Sequence, residues 1–290
     1  MSERLMGILL LASAFACIVF LVGIVIVLII EGVPIFSKIG ITKILFGTQW
    51  YPTHEPPDFG ALPLILGSIW VTVGAMIVAV PLGVGAAIYV SQITSARARD
   101  LIKPIIELLA GIPSVVYGFF GMALVSPLVQ RVFNLPTGLT AFTGAIVLAI
   151  MSLPTVVSIS EDALTSIPNS YKEASYALGA TKWETIIRVL VPAASSGIFT
   201  AIILGISRAI GETMTVLMVA GNSAIIPTSF LQPVRTMTAT IAAEMGEAPV
   251  GGDHYHALFA IAIVLFVMTL IFNIVADFIS EKYKERMGKE

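Results

Sequence analysis

The chain has 290 residues, of which 57% are hydrophobic and only 12% are charged, and its formal net charge is -2. A soluble globular protein has about 25% charged residues, so this composition excludes a soluble domain and indicates a protein of the lipid bilayer. The small net charge gives no reason to expect a nucleic-acid partner. The single cysteine, Cys17, excludes an intramolecular disulfide and a metal site built on a cysteine pair.

Six segments are apolar and long enough to cross a hydrocarbon core, which takes roughly 20 helical residues. Because they are continuously apolar and lack strand-like alternation, they predict helices rather than barrel strands. We expect the first to be a retained span, since its uncharged run is longer than the roughly 7 to 15 residues of a signal-peptide core. The predicted spans are about 6–30, 62–93, 104–130, 139–160, 191–221 and 257–279.

The positive charges between the spans predict the orientation of the chain. Eleven lysines and arginines fall on the side of the two termini, and four fall on the other side. By the positive-inside rule, both termini are cytoplasmic and the loops 31–61, 131–138 and 222–256 are external. The fold class predicted here is therefore an all-α integral membrane protein with six transmembrane helices.

This topology divides the chain into three parts. They are an N-terminal span with its external loop (1–61), a transmembrane domain (62–280) that contains a cytoplasmic loop at 161–190, and a cytoplasmic tail (281–290). The second and fifth spans exceed what a perpendicular helix needs, so we expect them to tilt, break or protrude. Pro113 is a candidate kink in the third span, although prolines and small residues are also common where membrane helices pack closely.

The cytoplasmic loop predicts two short helices joined at a glycine. The first covers about 171–178, and Gly179 ends it by permitting a left-handed turn. The second begins near Thr181 and runs toward Pro192 at the membrane. Such an elbow suits a shallow groove on a partner protein, and it suits a position on the membrane surface equally well.

A sequence signature lies in this elbow: an E-A-A-like run, a glycine four residues later, and an I-x-L-P-like ending. It resembles the cytoplasmic signature of ABC importer permeases, with serine for the second alanine and valines for the isoleucine and leucine. The resemblance implies a type I ABC importer permease (MetI-like) core, in which the elbow is a coupling helix inserted into the ATP-hydrolysing subunit. The positions that it assigns to ATPase coupling are Glu173, Ala174, Ser175, Gly179 and Pro192.

ATP hydrolysis is not expected in this chain itself. No G-x-x-x-x-G-K-[ST] phosphate-binding motif occurs in the sequence, and no soluble segment is long enough to form an ATPase domain. We therefore expect a transport subunit rather than an enzyme, with no cofactor of its own and with ATP and Mg²⁺ on a partner subunit.

Further stretches resemble one branch of these permeases. They include FGALPLILGSIWVT (59–72), PLGVGAAIYVSQ (81–92), KPIIELLAGIPSVVYGFFG (103–121) and SRAIGETMTVLMVAGN (207–222). They are similar to the phosphate-specific transport (Pst) permeases, and to the PstC type more than the PstA type. The resemblance implies phosphate import across a prokaryotic cell membrane, with a PstA-like second permease, a PstB-like ATPase dimer and an external PstS-like phosphate-binding protein.

Two charges, Arg208 and Glu212, lie within the fifth span. On a continuous helix, residues four apart share one face, so these two are predicted to pair. Gly211 and Thr215 are placed on the same face. Because an arginine at membrane depth costs about 2.5 to 3.5 kcal/mol on insertion scales, it usually faces a bundle interior or a path.

Two roles are open for this pair. It is either structural, as a fixed buried ion bridge or as a contact that holds the partner permease in register, or it is part of the phosphate route. In the second role the Arg208 fork contacts phosphate, Glu212 is its counter-ion, and Gly211 leaves room beside them. The predicted substrate path is thus Arg208, Gly211, Glu212 and Thr215.

Other polar residues are weaker candidates. Ser114, Tyr117 and Thr155 offer hydroxyls to a passing anion, although hydroxyls in membrane helices usually bond to nearby backbone. Glu244 is either a contact for the external binding protein or a solvated loop residue. Two histidines near it are two positions apart and do not share a helical face, so no metal site is predicted.

Alternative functions stay open at this point. A permease for another oxyanion, such as sulfate or molybdate, suits a buried arginine equally well. A secondary transporter needs paired broken helices in two similar halves, and the sequence shows no internal repeat. An intramembrane hydrolase needs a nucleophile and a base at membrane depth, and no G-x-S-x-G motif occurs.

Overall fold

The computed structural model describes residues 3–287, with the side chains of residues 6–275 and of Phe278. Within that range nearly every element is helical, which confirms the predicted all-α class. The last residues of the predicted tail, 288–290, lie outside the described part. The elements are α1 (Glu3–Ile39), α2 (Ile41–Phe46), β1 (Trp50–Tyr51), β2 (Asp58–Phe59), α3 (Leu62–Ile88), α4 (Ala96–Ala110), α5 (Ser114–Phe120), α6 (Ser126–Val132), α7 (Ala141–Thr165), α8 (Asn169–Ala177), α9 (Lys182–Thr185), α10 (Val191–Ala193), α11 (Ser195–Ile210), α12 (Met214–Val219), α13 (Met237–Glu244) and α14 (Asp253–Met287).

Three π-helical turns of five residues each directly adjoin these α-helices. They are Tyr89–Ile93 after α3, Gly121–Val125 between α5 and α6, and Ile186–Leu190 between α9 and α10. Each adds a residue to one helical turn, which shifts the face that the following residues present.

Five described segments are long and apolar enough to cross a membrane. A sixth is present if α9–α10 and α11, which meet at an angle of 68°, are counted as one broken span. The membrane class is therefore confirmed, with five or six candidate spans where six were predicted. The five are Met6–Ile39, Leu62–Ile93, Ser114–Val132, Ala141–Thr165 and Asp253–Val275.

The third predicted span, 104–130, is not one helix, so that prediction was wrong in its detail. α4 ends at Ala110, α5 begins at Ser114, and the apolar crossing is formed by Ser114–Val132. Pro113 explains the break, because proline disfavours a helical conformation in the residue before it. As a result α4 is a separate amphipathic helix, and it has no buried residue.

The bundle centre is packed through glycines. Val156 of α7 is fully buried, and Gly83 of α3 and Gly205 of α11 both face it. A Cβ added at either glycine would lie only 2.8 Å or 2.9 Å from a methyl carbon of Val156. Small residues at such positions let membrane helices approach closely, so α3, α7 and α11 form the rigid centre of the fold.

The two ends of the bundle are distinct. We call the end that carries α8 and α9 the elbow side, and the end that carries the β1–β2 hairpin and α13 the hairpin side. The hairpin pairs Trp50 with Phe59 in antiparallel register. A buried cluster joins this hairpin to α3, α13 and α14 through Leu64, Met237 and Leu258.

Candidate functional site

The predicted substrate path lies at a break in the fifth span. α11 ends at Ile210, Gly211 is its C-cap residue, and α12 begins only at Met214. Arg208 is therefore in the last turn of one helix, while Glu212 lies between two helices. The predicted face shared by Arg208 and Glu212 does not exist, because it assumed a continuous helix through Gly211.

Within the described part of the chain, the guanidinium of Arg208 has only neutral partners. Its Nη1 donates to Thr155 Oγ1 at 3.2 Å, and its Nη2 donates to the Ala110 carbonyl oxygen at 3.4 Å. Among the described side chains, none of the ion pairs within 4.0 Å involves Arg208. The predicted ion pair with Glu212 is thus wrong.

The position of the Ala110 carbonyl explains how an arginine is tolerated here. Ala110 is the last residue of α4, so its carbonyl has no partner within the helix. The C-terminal end of a helix carries a partial negative charge, which attracts a cation. Arg208 thereby bridges α4 and α7 while its charge is only partly compensated.

Glu212 has a local structural task. Its Oε1 accepts a hydrogen bond at 3.1 Å from the amide of Thr215, in the first turn of α12. Its carbonyl oxygen accepts a bond from the Thr238 hydroxyl of α13 at 2.8 Å. Glu212 consequently holds the break in the fifth span in place, and the counter-ion role predicted for it has no support in its contacts.

The other predicted path residues occupy different surroundings. Thr215 is fully buried, and its hydroxyl donates to the Ser114 carbonyl oxygen at 2.9 Å. Gly211 is exposed, and the nearest atom to an added Cβ would be Ser207 O at 3.6 Å. A side chain therefore fits at Gly211, so glycine is not needed there to leave room.

Of the weaker hydroxyl candidates, one reaches the arginine. Thr155 accepts the bond from Arg208, whereas Tyr117 donates to the Leu109 carbonyl oxygen at 2.8 Å. Leu109 and Ala110 are adjacent at the end of α4, so the tyrosine fixes the same helix end that Arg208 contacts. The structure thus brings Arg208, Thr155 and the end of α4 together.

The elbow forms as the sequence predicts. Gly179 has φ of +82°, a left-handed conformation that favours glycine, and it separates α8 from α9. Thr181 and Glu184 form a capping box: the Glu184 amide donates to Thr181 Oγ1 at 3.3 Å, and the Thr181 amide donates to Glu184 Oε2 at 2.9 Å. The hydrogen bonds from the Thr181 amide and hydroxyl lower the pKa of Glu184 below its ordinary 4.5.

The predicted coupling residues differ in exposure. Glu173 and Ala174 are exposed on α8, and Pro192 lies just before the 68° bend. Ser175, which stands where the family signature has alanine, is buried and shares a hydrogen bond of 2.9 Å with the Thr185 hydroxyl. This bond ties α8 to α9, so the serine stiffens the elbow internally rather than facing a partner.

A buried ion cluster on the elbow side was missed by sequence reasoning. Glu161 of α7 is only 2% exposed, and its Oε1 and Oε2 lie 2.5 Å from Arg99 Nη2 and 2.9 Å from Lys103 Nζ of α4. Asp162 also pairs with Lys103. Hydrogen bonds to Asp162 and Glu161 raise the pKa of Lys103 above its ordinary 10.5. The available signal was helical spacing, since Arg99 and Lys103 are four apart on one helix.

A second ion cluster lies on the hairpin side around Glu244. Its carboxylate accepts bonds from Arg235 Nη1 at 2.6 Å and Trp50 Nε1 at 3.0 Å, and His254 Nε2 lies 2.9 Å away. These contacts join the hairpin, α13 and α14. The interpretation of Glu244 as a solvated loop residue was therefore wrong. A contact between Glu244 and the external binding protein stays a prediction.

Comparison with known proteins shows the family of this chain. Residues 79–288 match the family described as "Binding-protein-dependent transport system inner membrane component". The chain is 41% identical over 275 residues to the probable ABC transporter permease protein YqgH of Bacillus subtilis, covering 94% of this chain and 89% of that protein. It is 35% identical over 296 residues to the phosphate transport system permease protein PstC of Mesorhizobium japonicum, covering 96% and 89%.

Solved structures of ABC transporters share the fold. A chain of a bacterial alginate ABC transporter superposes with a TM-score of 0.68 at 15% identity, covering 97% of this chain and 95% of that chain. A chain of the inward-facing MetNI methionine transporter superposes with a TM-score of 0.57 at 18% identity, covering 77% and 94%. The type I (MetI-like) core implied by the elbow signature is thereby confirmed.

These matches extend over most of the chain and agree with its apolar spans. They make it a multi-pass membrane component of a transporter rather than an enzyme. They also imply an ATP-hydrolysing partner and a substrate-binding protein. The chain belongs to the binding-protein-dependent inner-membrane permeases of ABC transporters, and within them it is of the PstC type.

Proposed function

We propose that the chain is the channel-forming permease subunit of an ATP-driven importer of inorganic phosphate. The relatives named as phosphate transport permeases support this substrate, because the similarity covers nearly the whole of both chains. The observation that carries the proposal within the molecule is Arg208, a cation in the broken fifth span that has no acidic partner among the described residues.

Arg208 is suited to a transient phosphate contact. Its guanidinium is a cation and presents a planar fork that matches phosphate oxygens. Its two bonds to neutral oxygens are long, whereas charge-assisted bonds to an anion are about 2.8 Å and roughly twice as strong. Phosphate can therefore displace Thr155 and Ala110 from Arg208, and both are available to take the guanidinium back on release.

The elbow is the proposed site of coupling to the ATPase. Glu173 and Ala174 are exposed on α8, and the neighbouring Leu178 is 89% exposed, so the elbow presents an apolar tip with a charged flank. Such a tip suits a cleft on a PstB-like ATPase dimer, which would bind ATP and Mg²⁺. The positive-inside prediction places this elbow in the cytoplasm.

The complete importer then contains four kinds of subunit. This chain pairs with a PstA-like permease, and the exposed apolar surfaces of its helices leave room for that contact. An external PstS-like protein delivers phosphate on the hairpin side. Specificity is shared with that protein, so the permease needs only a weak anion contact from which phosphate is readily released.

The test is uptake by the reconstituted complex. Proteoliposomes that contain both permeases and the ATPase, supplied with the binding protein, are expected to accumulate radiolabelled phosphate when ATP is present. Unlabelled phosphate should compete, while equal sulfate and molybdate should not. Transport of sulfate or molybdate in preference would establish the other-oxyanion alternative, and uptake without the ATPase would establish a secondary transporter.

A further inference from the structure

The position of α4 depends on charge rather than on burial. α4 has no buried residue, and of its side chains only Ile106 packs against the elbow-side core. We use that name for the buried cluster of Ala87, Val157, Leu164, Ala194 and Ile198. Arg99 and Lys103 nevertheless fasten α4 to Glu161 of α7. Because no residue of α4 is fully buried, its apolar contacts within this chain are weak, and these ion pairs hold its Arg99–Lys103 part against α7.

The cluster is complete in itself. It contains two cations, Arg99 and Lys103, and two carboxylates, Glu161 and Asp162, and the Thr165 hydroxyl bonds to both Arg99 and Glu161 at 2.8 Å. Its charges balance, so it has no need of a ligand. Removing one partner of such a buried pair is costly, because it leaves the other charge uncompensated.

The elbow comes directly after this cluster along the chain. α7 ends at Thr165 and α8 begins at Asn169, and the short link is held by a bond from the Ser166 amide to the Asp162 carbonyl oxygen at 3.0 Å. Ile167 in the link packs against the elbow-side core. A movement of the elbow therefore acts first on the part of α7 that carries Glu161.

The same two helices meet again at Arg208. Ala110 is seven residues beyond Lys103 on α4, and Thr155 is six residues before Glu161 on α7, which corresponds to roughly 10 Å along each helix. Arg208 bonds to both Ala110 and Thr155. α4 and α7 are thus joined at two places, by the ion cluster at one and by the hydrogen bonds of Arg208 at the other.

We propose that Glu161 is a positioning residue for Arg208, because it makes α4 and α7 move as one body and so transmits elbow movement to the phosphate contact. This inference rests on the proposed function. Glu161 contacts no substrate in it. Its role is to keep the Ala110 carbonyl in register with Arg208 when the ATPase moves the elbow.

The test is the amount of phosphate transported per ATP hydrolysed by the reconstituted complex. Glu161→Gln preserves size and removes the charge, and we expect the ratio to fall by about fivefold or more, in the usual range for coupling between sites. Asp100→Asn is the matched control, since Asp100 lies on α4 between Arg99 and Lys103, is exposed, and makes no ion pair among the described side chains. It should leave the ratio near that of the wild type.

A rescue experiment separates coupling from general damage. In a Cys17→Ser background, Lys103→Cys with Glu161→Cys should show a low ratio that a short, cleavable bifunctional thiol reagent raises and a reductant lowers again. A proportional loss of uptake and hydrolysis, with the ratio unchanged in Glu161→Gln, would overturn the inference. So would a bridged double variant that stays uncoupled. Wild-type complex that hydrolyses ATP without phosphate uptake would instead overturn the proposed function.

Discussion

Arg208 and Arg235 are both partly buried arginines, and their surroundings are opposite. Arg235 pairs with Glu244 at 2.6 Å, within a cluster that includes Trp50 and His254. Among the residues that the structure describes, Arg208 has only the Thr155 hydroxyl and the end of α4 as hydrogen-bond partners. The charge of Arg235 is compensated by a carboxylate of the same chain, whereas the charge of Arg208 is compensated only in part.

This difference assigns the two residues to different tasks. A buried charge is retained at a cost, which an internal partner offsets when the residue is structural. Where no internal partner exists, a ligand of opposite charge provides the compensation. We therefore assign Arg235 to the scaffold of the hairpin side, and we propose that Arg208 belongs to the substrate path.

Removing the charge of Arg208 should have the largest effect on transport. Arg208→Gln is expected to lower phosphate uptake by about 10- to 100-fold, since a hydrogen bond to a charged group contributes about 1.5 to 3 kcal/mol. Uptake and ATP hydrolysis are measured on the same proteoliposomes. The complex should still assemble and hydrolyse ATP, and normal uptake by this variant would contradict the proposed role. Arg208→Lys keeps the charge and loses the planar fork, so its phosphate uptake should lie between that of the wild type and that of Arg208→Gln.

Breaking the hairpin-side cluster should affect stability instead. Arg235→Gln or Glu244→Gln is expected to lower the free energy of unfolding by about 1 to 3 kcal/mol, because each leaves a partly buried charge without its partner. Thermal unfolding of the purified complex measures this loss. Phosphate uptake per assembled complex should be unchanged. The double variant should lose less free energy of unfolding than the two single variants lose in sum. A selective loss of uptake would remove the distinction between the two arginines.

Two glycines near Arg208 offer a comparison on a smaller scale. In Gly205→Ala the new Cβ would lie 2.9 Å from Val156 Cγ2, so overpacking should cost about 1 to 3 kcal/mol. In Gly211→Ala the new Cβ would be in ordinary van der Waals contact, 3.6 Å from Ser207 O, and φ is -82°, so the effect on stability should stay within about 0.5 kcal/mol. Both variants can be compared by thermal unfolding. A larger loss of stability in Gly211→Ala would show that the break after α11 is too tightly packed to accept a Cβ.

The smallest expected effect concerns the elbow at acid pH. Bonds from Thr181 lower the pKa of Glu184, so the folded state favours the ionised carboxylate. This contribution is present above the ordinary pKa of 4.5 and is lost as pH falls through the lowered value. Thr181→Ala should move the pKa of Glu184 back toward 4.5, as ¹³C NMR titration can show. An unchanged pKa would mean that the capping box is absent in solution.

The sequence predicted those parts of the fold that depend on nearby residues. Hydropathy located the apolar spans, and the elbow followed from Gly179 and Thr181, whose effects act within a few residues. The capping box has both partners three positions apart. Local chemistry of this kind is visible without any knowledge of the tertiary structure.

The candidate site required information that lies far away in the chain. The break between α11 and α12 is held by Thr238, 26 positions from Glu212, and by Ser114, 101 positions from Thr215. Glu161 meets Lys103 across 58 positions. The helical wheel of the fifth span assumed that no such contacts interrupt the helix, so it paired Arg208 with Glu212 incorrectly.

The measurement that tests the central claim most directly is the distance between bound phosphate and Arg208. Solid-state NMR of the phosphate-loaded complex, with ¹⁵N-labelled arginine in this chain, detects ³¹P–¹⁵N dipolar coupling. We expect phosphorus to lie about 4 Å from a guanidinium nitrogen, as charge-assisted N–H···O bonds require. The coupling should vanish in Arg208→Lys. Phosphate bound within the membrane part with no arginine coupling, or a coupling that persists in Arg208→Lys, would contradict the account.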